Sequence, residues 1–190
     1  MKNFSELQNK SLSELCPSEI DAIRSAYMDY FDEQKPRDKA IGYMVVCGGI
    51  PAARLGHIDM LIGCPMGWQL KIGRYVIFMN MQNMRFFNAI DGYIKNYKEA
   101  YELMMRLEQM WKPGEVYYDQ MPLFRSGSTK DRLGASCAGK VIQRANRELG
   151  WKTTGFALHQ LGHDMILPWN AAAGDAEQLD RQSMLSFCTA

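Results

Sequence analysis

Apolar positions recur every third or fourth residue through Ile20, Ile23, Tyr27, Tyr30 and Phe31. That spacing predicts a helix with one buried face. Pro17-Ser18-Glu19 ahead of it supplies a start, with Ser18 as the cap and acids in the first turn. Residues 38–48 (DKAIGYMVVCG) form an apolar run that reads as a buried helix or a strand, because neither period stands out. Gly48-Gly49 ends it, and Pro51 is placed for the first turn of a short helix running through Leu61. Residues 68–80 (WQLKIGRYVIFMN) set Gly73 between two β-prone arms, the pattern of a hairpin. Over 88–111 the helical spacing returns in Ile90, Ile94, Tyr97, Tyr101, Met104, Leu107 and Trp111, and Pro113-Gly114 stops it. Residues 126–130 read as a loop. A further helix is expected over 131–149, with Val141, Ala145 and Leu149 inward and Gly150 at its end. Pro168 interrupts the last segment. The expectation is a mainly α protein with a small antiparallel β-sheet (α+β), a single domain over 1–190 with residues 1–14 as an N-terminal extension.

Composition changes this picture little. Hydrophobic residues make up 47% and charged residues 23% of the chain, enough to bury a core. No apolar run approaches the ~18 residues that a membrane span needs. The opening residues lack a secretory pattern. The five cysteines, at 16, 47, 64, 137 and 188, then read as reduced thiols in a cytoplasm, mostly core filler. Charge distribution matters more. The net charge is only +1, yet residues 125–152 hold Arg125, Lys130, Arg132, Lys140, Arg144, Arg147 and Lys152 against Asp131 and Glu148, a local excess of +5. Residues 153–190 carry −3. Lys140, Arg144 and Arg147 fall at i, i+4 and i+7, opposite the apolar stripe of their helix. A solvated helix face has this pattern, and so does a salt-sensitive phosphate-binding surface.

Other constellations are weaker. His159 and His163 are four apart, as two zinc ligands on a helix would be, but Gln160 stands where a glutamate is needed and no third ligand is evident. No metal and no cofactor is expected. Cys47 before Gly48-Gly49, with His57 nearby, has the outline of a nucleophile and base, but a cysteine closing an apolar run is more often inert. Arg132-Leu133-Gly134-Ala135 before a helix is a short phosphate-turn pattern common by chance.

Taken in order, several segments resemble the catalytic domain of tyrosine recombinases of the phage-integrase family. Leu15-Cys16-Pro17-Ser18-Glu19-Ile20 is similar to the family's Leu-Thr-Pro-Glu-Glu opening. Arg37-Asp38-Lys39-Ala40-Ile41 is similar to the helix that leads into the first arginine box. Gly48-Gly49-Ile50-Pro51-Ala52-Ala53-Arg54-Leu55 stands where that box, Thr-Gly-Leu-Arg-x-x-Glu-Leu, would be. The hairpin at 68–80 would carry the catalytic lysine. Leu123-Phe124, the basic helix and Leu149-Gly150 follow, and then His159-x-Leu161-x-His163 has the outline of the His-x-Leu-Arg-His box. The resemblance carries a spatial expectation: segments 48–62 and 150–167 meet at one cleft.

The departures fall on the chemistry. The resemblance implies two arginines and a histidine around the scissile phosphate, a lysine acid and a tyrosine nucleophile. Here the first arginine position is Pro51, the box glutamate is Arg54 and the second arginine is Gly162. The lysine turn reads Met79-Asn80-Met81-Gln82-Asn83, and no tyrosine follows Tyr118. Loss of one preorganised donor costs ~100-fold or more, so loss of the whole set leaves no credible cleavage. The implied protein is a catalytically inactive recombinase-like factor of mobile-element origin, not an enzyme. It would be cytoplasmic and would hold double-stranded DNA weakly to moderately through Arg125, Lys130, Arg132, Lys140, Arg144, Arg147, Lys152 and His159. One rival is a protein-interaction module, alone or as an oligomer, for which fourteen methionines offer adaptable surface. The other is a small enzyme using His159 and His163, with or without a metal.

Overall fold

The computed structural model describes Leu7 and residues 10–62, 68–72, 75–79, 84–96, 119–126, 132–151 and 157–162. It is mostly helical, as expected. Helix α1, Pro17–Asp32, starts one residue pair earlier than Ser18 would place it. Pro17 takes the first helical position, where its missing N–H costs nothing, so the cap falls on Cys16. The Glu19 carboxylate accepts the Cys16 backbone N–H at 2.9 Å and closes the cap. Ile23, Tyr27 and Phe31 form the buried stripe of α1.

The ambiguous 38–48 run is resolved as helix α2, Pro36–Val46. Residues Ala40 to Val46 are all buried, which explains the missing period: a helix enclosed all round needs no polar face. It packs against α1, against helix α3 (Met84–Lys95) and against helix α4 (Ala135–Glu148). Beyond Val46 the coil widens. The Gly48 N–H reaches the Tyr43 carbonyl at 2.9 Å, and Gly49 adopts a left-handed φ of 69°. A residue other than glycine is strained there.

Pro51 does precede a helical turn, but a tight 3-10 one over Ala52–His57. The helix expected through Leu61 is not found. Ile58–Ile62 is a strand, β1, because its β-branched ends fit a ladder and partners are at hand on both edges. It pairs antiparallel with β2 (Trp68–Ile72) and with β4 (Asp119–Pro122), and β2 pairs antiparallel with β3 (Tyr75–Met79). The strand order is β3-β2-β1-β4. The two arms of the 68–80 segment are thus neighbours, with Trp68 opposite Met79 and Ile72 opposite Tyr75.

Helix α3 begins at Met84, earlier than residue 88, and buries Phe86, Ala89, Ile90, Tyr93 and Ile94. Its Phe86 ring lies 6.4 Å from Tyr43, and Tyr93 stacks 5.2 Å from Phe124. The expected helix over 97–111 lies outside the described residues. Helix α4 begins at Ala135 rather than 131, because Arg132 is drawn into a bridge with Arg125 and Gly134 caps the helix. Its inward stripe is Ala138, Val141 and Ala145. The end is at Gly150, as expected. Gly150 takes φ of 77°, its N–H reaches the Arg147 carbonyl at 3.2 Å, and the Trp151 N–H reaches the Asn146 carbonyl at 2.7 Å. Those two bonds make a Schellman cap. Trp151 then stacks 6.4 Å from Tyr27, whose hydroxyl donates to Asn146 Oδ1 at 2.8 Å. The cysteines correct one expectation. Of the three described, only Cys47 is buried; Cys16 and Cys137 are exposed, each at the start of a helix. Among the described residues no helix is long and apolar enough to cross a membrane.

Candidate nucleic-acid interface

Two distant segments meet at the end of α2. The His159 segment forms a 3-10 turn, Leu158–Gly162, that packs on α2 with Leu158 and Leu161 buried. Its last residue touches the glycine turn. A Cβ on Gly162 would stand 2.3 Å from the Gly49 nitrogen and 2.9 Å from the Cys47 carbonyl carbon. Of the two segments expected to meet, the described parts therefore touch through Gly49 and Gly162, backbone on backbone. Arg24 of α1 secures the turn. Its Nε and Nη2 both donate to the Leu161 carbonyl, the first at 3.2 Å, while Nη1 pairs with Asp21 at 3.2 Å. No sequence reading singled out Arg24, since its acceptor is a backbone carbonyl far along the chain.

The thiol beside this contact is not poised for chemistry. Cys47 is fully enclosed, and burial pushes its thiol up to about 12. It is protonated and inaccessible at neutral pH, and His57 is exposed on the 3-10 turn that ends at β1. His159 is half-buried, with its Nε2 enclosed. Among the described residues no three His, Cys, Asp or Glu side chains converge as metal ligands would. His163 and Asp164 lie outside those residues.

The basic residues separate into two groups. Arg132 donates to the Gly56 carbonyl at 3.2 Å and to Asp59 at 2.7 Å, which ties the approach to α4 onto the start of β1. Arg144 pairs with Asp38 at 2.6 Å, and its side chain is 42% exposed against 12% for Asp38. Hydrogen bonds that it donates to Asp38 and then Tyr30 hold the Arg144 guanidinium above its ordinary pKa. Both arginines thus serve tertiary contacts. Lys140 and Arg147 are exposed on α4 and belong to no ion pair described. Arg125 is half-buried, its backbone bridged to that of Arg132. Lys130 and Lys152 lie outside the described residues.

Asp38 was the residue to notice. An acid in the first turn of a helix that is otherwise buried needs a cation, and two supply it: Arg144 and Arg37, whose Nε donates at 3.2 Å. A second cluster is centred on Asp32, whose partner Lys39 adjoins Asp38 in sequence. Asp32 receives Arg85, Lys39 at 2.8 Å and the Tyr43 hydroxyl at 2.9 Å, and Arg85 also reaches Asp29 at 2.7 Å. Burial raises the Asp32 pKa, but these donors outweigh it and hold the carboxyl below its ordinary value. The Tyr43 hydroxyl is pushed up, first by burial and then by its bond to Asp32. This cluster fastens the start of α3 to α1. Comparison of the chain with protein-family models, with curated proteins and with solved structures returned no match.

Proposed function

We propose that this protein is a catalytically inactive, recombinase-like DNA-associated factor of mobile-element origin. The observation that carries the reading is the contact between Gly49 and Gly162, where the first arginine box and the histidine box would meet in a recombinase. An arginine at 162 has no place there, because its Cβ alone would collide with the Gly49 backbone. A Pro51 that lacks any positive donor completes the loss on the other side. DNA contact falls to the basic face of α4. Among the described residues of that face, Lys140 and Arg147 stand exposed at i and i+7, about 10 Å apart along the axis.

Two phosphate contacts give a modest binder whose affinity falls with salt at a log–log slope of about −2. A mobility-shift assay in low salt tests the reading with duplexes of mixed sequence. A shift that Lys140→Gln plus Arg147→Gln weakens is the expected result. No shift with any duplex sinks it. That outcome would favour the protein-interaction reading, which gains from Arg132 and Arg144 being engaged within the fold.

A further inference from the structure

The shared carboxylate of Asp38 joins the start of α2 to the basic face of α4. Arg37 Nε donates to Asp38 Oδ1 at 3.2 Å, and Arg144 Nη2 donates to Asp38 Oδ2 at 2.6 Å. One nearly enclosed carboxylate therefore holds two guanidiniums beside each other, with side chains 43% and 42% exposed. Each guanidinium carries five N–H donors in a fixed fork. Asp38 takes one from each, Tyr30 also bonds Arg144 and the Arg144 Nε is enclosed, so the donors left over are Nη ones on both side chains. Lys35, exposed just before α2, lies three residues from Asp38. Lys140 and Arg147 lie one turn to either side of Arg144 on α4. Lys39 is not part of this group, because Asp32 holds it at 2.8 Å.

We infer that Lys35 and Arg37 extend the α4 face into one two-helix cradle for the phosphodiester backbone of duplex DNA. Five cations, Lys35, Arg37, Lys140, Arg144 and Arg147, face that partner. Asp38 sits among them as the bracket that orients the arginines. The exposed acids adjoining in sequence are Glu33 and Glu148, so the local balance stays positive. A duplex fits because its phosphates repeat at short intervals and reward a row of fixed forks on two elements. The cradle rests on the DNA reading above, and it makes a different quantitative demand. About four or five contacts give a salt slope of about −4, where α4 alone gives about −2.

Fluorescence anisotropy with a labelled 20-base-pair duplex of mixed sequence, using the whole chain across a salt series, separates the two. The expected result is a wild-type slope near −4 that becomes shallower by about 2 in Lys35→Gln plus Arg37→Gln. A wild-type slope near −2 that this variant leaves unchanged overturns the cradle and leaves the α4 reading intact. No binding by the wild type overturns both. Circular dichroism checks the fold of the double variant. Should it unfold, Lys35→Gln alone, at an exposed position, must still make the slope shallower by about 1, and an unchanged slope there overturns the cradle.

Discussion

Helices α2 and α4 lie against each other, yet they treat charge in opposite ways. Helix α2 is enclosed from Ala40 to Val46 and keeps one acid, Asp38, that is nearly out of water and held by two arginines. Helix α4 buries one stripe and leaves Lys140 and Arg147 in solvent. An ion pair with an enclosed partner costs desolvation and then has to be kept, because removing one side strands the other. An exposed cation costs almost nothing to hold and remains available to a partner. The contrast shows that basic residues one turn apart on a single helix can belong to different functions: Arg144 to the fold first, Arg147 to the surface.

The largest effect is expected where the end of α2 meets the 158–162 turn. Gly162→Ala places a methyl group 2.3 Å from a backbone nitrogen, and backbone cannot step aside as a side chain can. We expect a loss of about 3 kcal/mol, at the upper end of the usual overpacking range. Urea denaturation measures it, and a variant within about 0.5 kcal/mol of the wild type would show that the two segments are not in tight contact.

The next effect separates the two kinds of basic residue on α4. Arg144→Ala takes the closer partner from Asp38 and should cost about 1–2 kcal/mol, reduced from the fully buried case because Arg37 stays and water reaches the site. Arg147→Ala should change stability by less than about 0.5 kcal/mol. Equal effects of the two in thermal melts would erase the distinction between them.

The smallest effect concerns acid. Asp32 has its pKa depressed in the folded state, since its Lys39, Arg85 and Tyr43 donors outweigh burial. The folded protein therefore binds fewer protons at this site than the unfolded chain. Its contribution is present above the ordinary carboxylate range and is lost as pH falls from about 4 through the lowered value. Stability measured from pH 6 down to pH 2 should fall less steeply in Asp32→Asn than in the wild type. Parallel curves would mean that the cluster does not favour the charged form.

How much was legible varied with how local the cause was. The stop at Gly150 needs only a left-handed residue and two neighbouring carbonyls, and the sequence placed it correctly. The start of α1 was nearly right; Pro17 simply shifts the cap from Ser18 to Cys16. The candidate site was legible as a basic helix, while the division of its arginines was not. Asp38 is 106 residues from Arg144, and Asp59 is 73 from Arg132. No spacing rule reaches that far.

The sequence by itself determined the amphipathic helices α1 and α4, the stop at Gly150 and the excess of positive charge around α4, because periodicity, caps and composition act over one or two turns. Only the tertiary structure decided that the 38–46 part of the 38–48 run is a helix, since enclosure on every side removes the polar face that would have announced it. It alone decided that 58–62 is a strand, since a strand exists by its partners, here β2 and β4. It also decided that Gly162 rests on Gly49, because close approach of two backbones depends on how the helices beneath them pack.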